Sequence, residues 1–407
     1  MQPAYGLTTD QQTAYAAFED FINNPSEQVF LLRGYSGVGK TYLTSLLYTM
    51  AVKVLGGSHS ISLTATTNKA AQALSEAAGV PVKTIHSYLG LMVSTNYQTG
   101  VSTLEAREGA SKITQSVIFI DEASYVDSQL LSKVFERTYG CKIVFIGDPA
   151  QLAPIGCKTA PTFNAGFKGA HLSQVVRQAA GSPIIELATK FRHTVNTGEF
   201  FSFTPDGIHI VWLPRDKFKD RLEAEFIQPG WDEQESKVLA WTNNRVVQFN
   251  EHISMLRTGT PYLQEGDYAI CNSYISIDKK SLSTEEGVLI TSLSPLTKEY
   301  DVDGHYVTVN NSVSGFMPRT PTGKMSRMKE ARKVKDYKLV KHIDTSWLDL
   351  RPAYASTVNK AQGSTYKKVF IDLDDISKCN CSNQVARMLY VASSRASHEV
   401  VFTGDIV

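Results

Sequence analysis

The sequence predicts an α/β chain with two doubly wound parallel sheets, a small β-hairpin inserted in the first and a small β domain in the second. Three observations carry that expectation. Val29–Leu32 is apolar without polar alternation, as a strand buried on both faces is, Val117–Ile120 reads as another buried strand, and Ile61–Ala65 and Lys142–Ile146 as two more strands. Helical patterns separate them, and each run ends in polar residues, the edge along which ligands bind in such sheets. The alternation resumes after residue 182 and again after Pro352.

Taken in order, Ala14, Phe18 and Phe21 recur at helical spacing after Thr8 and Thr9, either of which can cap that helix, with Gln11 or Gln12 in its first turn. The run Val29–Leu32 breaks at Gly34 into a glycine-rich loop, and a helical pattern starts at Tyr42. Ile61–Ala65 ends in Thr66-Thr67-Asn68-Lys69, followed by an alanine-rich helix to Ala78. Thr84-Ile85-His86-Ser87 opens an irregular region whose centre, 91–104, reads as a hairpin turning at Gly100. Val117–Ile120 ends in Asp121-Glu122, and Lys142–Ile146 ends in Gly147-Asp148-Pro149-Ala150-Gln151. Ser182–Ala188 opens a helix, and Lys237–Trp241 is a strand before Thr242-Asn243. From Tyr262 to about Asp344 short strands and turns take over, with a basic run from Lys324 to Lys341 inside them. The α/β pattern returns with Thr357–Gln362, the strand Val369–Asp372, a helix to Val391 and a last strand, Val400–Thr403. The expected division is 1–165 with an 88–113 insertion, 166–265 joined to 345–407, and an inserted β domain over 266–344.

Composition narrows the classes. The 407 residues exceed one ordinary core, and 42% hydrophobic with 20% charged residues describes a soluble globular chain. No apolar run is long enough to span a bilayer, and the N-terminus has no secretory pattern. Five scattered cysteines make no disulfide framework, which fits a reducing cytoplasm, a host cytoplasm if the protein is viral. Cys379 and Cys381 have no second pair to complete a zinc site. A net charge of +1 argues against coating duplexes indiscriminately but permits a charged channel.

The loop Gly34–Thr41 fits the phosphate-cradle pattern G-x-x-x-x-G-K-[ST] between a strand and a helix. Its glycines let backbone N–H groups turn toward phosphates, and the helix adds its positive end. Lys40 would reach the β- and γ-phosphates and Thr41 would hold Mg²⁺, so a nucleoside triphosphate is the expected ligand. Asp121 can hold the metal beside Thr41, and Glu122 can orient or deprotonate the attacking water. Gln151, at the next strand end, suits a residue that positions water and senses the γ-phosphate. A plain turn at residues 147–154 and a plain acidic strand end at 121–122 are the bland alternatives.

In this order, Gln11, Gly34–Thr41, Asp121-Glu122 and Gly147–Gln151 resemble the first motor domain of a superfamily 1 helicase. Leu172–Arg177 resembles motif IV, Thr357–Thr365 motif V and Leu389–Ala396 motif VI. Thr84–Ser87 and Ala240–Asn243 favour subclass B, the 5′→3′ helicases of the RecD and Dda type. The resemblance implies two RecA-like domains and an SH3-like insertion. It implies ATP and Mg²⁺, with Gln11 reading adenine and Gly34, Ser36, Gly37, Val38, Gly39, Lys40, Thr41, Tyr42 and Gly363 around the nucleotide. Arg177 and Arg395 would bring positive charge from the second motor domain to the transferred phosphate, for which the planar guanidinium is suited. The implied track is single-stranded DNA at a forked duplex, touched by Thr66, Asn68, Lys69, His86, Thr242, Asn243, Thr357, Asn359 and Lys360. Tyr88, Trp241 or Tyr354 would serve as stacking platforms, although each is otherwise a core residue. The 91–104 hairpin takes the place of a strand-splitting pin, with Tyr97 at its tip to stack on the parting pair. The inserted β domain would brace it. The motor would work as a monomer by alternating its grip, with a single-strand-binding protein among candidate replication or recombination partners. A protein-displacing translocase and an ATP-gated DNA-binding subunit are the rival readings.

Overall fold

A computed structural model of the protein describes residues 6–406 except 155, 158, 177–180 and 278–279. The chain divides into two compact units, one of residues 1–94, 103–203 and 381–394, the other of 95–102, 204–380 and 395–407.

In the first unit six parallel strands lie in the order Gly169–Leu172, Val29–Gly34, Lys142–Gly147, Ser116–Asp121, Ser60–Ala65 and Lys83–Thr84. Side chains alternate across a strand, so each continuous apolar run feeds two cores. Phe30, Leu32, Val117, Phe119, Val144 and Ile146 pack under the helices Thr9–Asn23 and Lys40–Leu55. Leu31, Ile118, Ile120, Ile143 and Phe145 face the other way, toward Leu89, Leu91, Leu130 and Val134. Two helices, Pro183–Thr197 and Ser382–Ser393, complete this unit. The expected boundary at 165 therefore shifts. The strand Gly169–Leu172 pairs with Val29–Gly34, and the helix opened by Ser182 belongs to the first unit rather than the second.

The expected hairpin is present as Leu91–Thr95 and Ser102–Ala106. Gly100 adopts φ 75°, which glycine reaches without strain, and its N–H donates to the Asn96 carbonyl over 2.7 Å.

The second unit has a parallel sheet in the order Ile210–Trp212, Ala396–Thr403, Tyr366–Asp372, Ser236–Ala240 and Ala355–Thr357. A separate antiparallel sheet runs Thr297–Glu299, Val302–Val309, Gly287–Leu293, Tyr268–Cys271 and Leu350–Pro352, with Val313–Pro318 paired to Val302–Val309. The basic run, read from sequence as part of a strand-and-turn region, is instead two helices, Gly323–Lys333 and Tyr337–Ser346. Met328, Ala331, Val340 and Ile343 fall on their buried faces, against Phe316 and Trp347.

Candidate active site

The phosphate loop of the first unit is built by conformations that its glycines allow. Gly37 has φ 80° and Gly39 φ 74° at the start of the Lys40–Leu55 helix. A Cβ on Gly39 would stand 2.7 Å from Gln11 Nε2, so a side chain there would displace the Gln11 amide from its place against the loop. Gln11 is buried, and both ends of its amide are in use: Nε2 donates to the Val38 carbonyl (3.0 Å) and Oε1 accepts from the Thr8 N–H (3.0 Å). It buttresses the loop from behind, and Thr8 rather than Thr9 is the cap. Lys40 Nζ donates to the Tyr35 carbonyl at 2.8 Å. Thr41 and Tyr42 are exposed on the first turn of the helix.

Asp121 and Glu122 end the central strand side by side. Burial, and then the charge of Glu122, push the Asp121 carboxyl up to about 7, against the Glu122 N–H donated to its Oδ1 (2.8 Å). Glu122 holds φ 54°, a left-handed backbone that non-glycine residues keep only where the surroundings enforce it. Part of that enforcement comes from Thr66, whose hydroxyl donates to the Glu122 carbonyl (3.0 Å) and whose N–H donates to the Asp121 carbonyl (3.2 Å).

Gln151 is buried at the end of the next strand. The residues holding its loop were missed in the sequence. Arg387 donates to the carbonyls of Pro149 (2.8 Å) and Gln151 (2.5 Å). Tyr390 donates its hydroxyl to the buried Asp148 carboxylate (2.5 Å) and accepts the Ser36 N–H of the phosphate loop (2.8 Å). Burial, then Asp148, hold the Tyr390 phenol well above its ordinary value. Arg387 and Tyr390 stand three residues apart on one face of Ser382–Ser393, the one signal that could have found them, and Asn383, a turn earlier, accepts from Arg387 Nε (2.8 Å). Arg192 was also missed; its guanidinium lies 4.0 Å from the Tyr35 ring centroid. Residues 173–176 approach the loop too: Asp10 accepts from Ser173 and Gln174, and the Val176 N–H donates to the Gly37 carbonyl (3.1 Å). Arg177, the next residue, lies outside the described residues.

In the second unit Arg395 is buried, with Nη1 donating to the Ser364 carbonyl (3.2 Å) next to Gly363, whose φ is 79°.

The expected strand contacts follow one local design. A parallel strand ends, a threonine caps the next helix, and an asparagine stands in its first turn. Thr67 caps Asn68–Ala78, Thr242 caps Asn243–Thr258, and Thr357 caps Val358–Ala361. Asn68 and Asn243 are exposed, whereas Lys69 and Asn359 are half-buried. The hydroxyl of Thr242 is spent on the cap and on Asp375 Oδ1 (2.8 Å), so Thr242 is a positioning group. Lys360 is paired with Glu285 Oε1 (2.8 Å) and donates to Asn272 Oδ1. His86 is half-buried, and burial lowers its imidazole below the ordinary value, so it stands neutral at pH 7.

The aromatic expectations divide. Trp241 is half-buried beside Asp375, which accepts its N–H (2.8 Å). Tyr88 accepts from the Ser62 hydroxyl (3.1 Å) and packs on the core, and Tyr354 packs against Phe226 and Trp231; both serve the interior. Tyr97 differs from its expected role as an open stacking face. Within the second unit its ring packs against the Phe316–Trp347 cluster, and its hydroxyl donates to Asp344 Oδ2 (3.0 Å). Burial, and then Asp344, push that phenol up to about 12.

Comparison with known proteins agrees with these motifs. The AAA domain family matches residues 6–204, and the UvrD-like helicase C-terminal domain family matches residues 352–403. The ATP-dependent DNA helicase Dda of Enterobacteria phage T4 is 28% identical, over 83% of this chain and 73% of that protein. The ATP-dependent RecD2 DNA helicase of Deinococcus radiodurans is 30% identical over 41% of this chain and 22% of its own length. A Pif1 helicase from Bacteroides, solved in complex with ADP-AlF3 and ssDNA, shares the fold at a TM-score of 0.53 and 16% identity, over 98% of this chain and 93% of that one. With the phosphate loop, the acidic pair and motifs V and VI in order, the chain is similar to the superfamily 1B helicases of the Dda and RecD type.

Proposed function

We propose that this protein is an ATP-dependent DNA helicase that moves 5′→3′ along a single strand and separates the duplex ahead of it. The observation that carries this reading is the pair of hydrogen bonds from Thr66 to the Asp121 and Glu122 carbonyls. The segment that leads into an exposed, threonine-capped helix start is thereby bonded to the residues expected to hydrolyse ATP. Helix N-termini favour phosphate, and their amide and hydroxyl groups carry no base code. A strand seated at Asn68 therefore acts on the backbone that sets the Glu122 side chain.

The residue roles follow. The loop amides and Lys40 hold the phosphates. Glu122 accepts a proton from water as its oxygen bonds to the γ-phosphorus, and the bridging oxygen leaves with ADP. Asp121 and Thr41 fit Mg²⁺, whose charge would favour the ionised Asp121 and offset that developing on the phosphates. Arg395, and Arg177 by its place in the motif order, are the proposed cationic partners of the transferred phosphate. The Tyr97 anchor favours strand separation over translocation alone, because a pin must be held rigid to part base pairs.

The test is ATP turnover with and without single-stranded DNA. The unaltered chain is expected to be stimulated at least tenfold. Lys40→Ala is expected to lose turnover, at least a hundredfold, while still binding the strand. Turnover that ignores DNA, or survives in Lys40→Ala, would contradict the reading.

A further inference from the structure

We propose that the helix pair Gly323–Lys333 and Tyr337–Ser346 is a docking surface for the phosphate backbone of double-stranded DNA. This rests on the helicase reading and adds a second, separate nucleic-acid surface to it. Residues 323–346 hold eight of the chain's 41 basic side chains and only three of its 40 acidic ones. A protein of net charge +1 thus carries its positive excess here, and the remainder is acidic overall.

Lys329, Lys333, Lys335, Lys338 and Lys341 are exposed. Among the described residues none of the five forms an ion pair. Other exposed lysines of the second unit do: Lys217 with Asp220, Lys219 with Glu223, Lys298 with Asp303 and Lys367 with Glu235. Lys329 with Lys333, and Lys338 with Lys341, stand four and three residues apart on helices, where like charges repel unless an anion lies over them. Lys333 lies in the last turn of its helix, where a cation also offsets the helix dipole, but Lys329, Lys338 and Lys341 have no such explanation.

The surface is rigid. Met328, Ala331, Val340 and Ile343 anchor it on Phe316 and Trp347, and the buried Lys324 joins the helices by donating to the Asp344 (3.0 Å) and Trp347 (2.8 Å) carbonyls. Its neighbour gives the partner. Tyr97, at the hairpin tip, packs on this cluster and donates to Asp344, so paired DNA meeting the tip meets the lysines. A single strand fits less well: tracks for unpaired bases use exposed aromatic platforms, and residues 323–346 hold one aromatic ring of the Phe, Tyr and Trp kind, the half-buried Tyr337.

The experiment neutralises Lys329, Lys335, Lys338 and Lys341 to glutamine together. A charge-matched control carries Lys217→Gln, Lys219→Gln, Lys298→Gln and Lys367→Gln. Binding is measured to a bare single strand and to the same strand extended by a 20-base-pair duplex arm, across a salt series. The expected result is that the first variant loses the affinity the arm adds, roughly tenfold or more. Its slope of log affinity against log salt on the fork should fall by about 0.9 per lost phosphate contact, up to about 3.6. The bare strand and its stimulation of ATP turnover should be unaffected, and the control should match the unaltered protein. An unchanged fork slope, an equal loss on the bare strand, or an equal loss in the control would overturn the proposal. Absence of DNA-stimulated turnover in the unaltered chain would instead overturn the helicase reading itself.

Discussion

Tyr390 shows how one hydroxyl ties two chemistries together. It donates to buried Asp148 and accepts the Ser36 N–H, so the loop after the fourth strand and the phosphate loop share one phenol. Tyr390→Phe leaves a buried carboxylate without that donor and an amide without its acceptor. The expected cost is about 1–3 kcal/mol, read as a lower urea midpoint with an unchanged slope. Free movement of Ser36 should also raise the KM for ATP. An unchanged midpoint and KM would mean that water replaces the phenol. The pairing itself was not legible in the sequence, because Tyr390 and Asp148 sit inside motif strings whose other residues drew the functional reading, and 242 positions separate them. Lys40, Thr41, Asp121 and Glu122 stand out in the sequence because the proposed chemistry needs fixed residue types in the loop and turn that follow two strands. The use of both ends of the Gln11 amide was not legible, because it depends on how the first helix packs on the loop.

Secondary elements explain why some readings succeeded and others moved. The strands were evident because a run such as Val117–Ile120 must bury both faces, and alternate residues do feed opposite cores. The helix pair 323–346 was hidden because its apolar residues, Met328, Ala331, Val340 and Ile343, are outnumbered by charge. The helix start capped by Thr242 rests on Asp375 in the second unit. Its carboxylate accepts the Trp241 N–H (2.8 Å), the Thr242 N–H (2.7 Å) and the Thr242 hydroxyl (2.8 Å). Burial pushes this carboxyl up, but the Thr242 and Lys378 hydrogen bonds outweigh it and hold the group below its ordinary value of 3.8. A carboxyl depressed on folding stabilises above its unfolded value and loses that contribution as pH falls through the lower, folded one. Asp375→Asn is therefore expected to cost about 1–3 kcal/mol at pH 7 and to flatten the acid limb of the stability curve below about pH 4. An acid limb identical to that of the unaltered protein would refute this role for Asp375.

Across the molecule, each unit carries its own parallel sheet, and the phosphate loop, Asp121-Glu122, Gly147–Gln151 and Thr357–Thr365 follow the carboxyl ends of strands, as an open α/β sheet requires. Where the chain divides was the least legible feature. The boundary moves from 165 to 203 because Gly169–Leu172 joins the first sheet and Pro183–Thr197 packs with Ser382–Ser393, and no local signal in residues 166–203 or 381–394 announces those pairings. ATP hydrolysis, strand binding and strand separation meet in the direction of travel. Duplexes carrying a single-stranded tail of one polarity would be unwound with ATP present. The account predicts product from the 5′-tailed duplex and little from the 3′-tailed one, with none from either for Lys40→Ala. Equal unwinding from both tails, or unwinding from the 3′ tail alone, would contradict it.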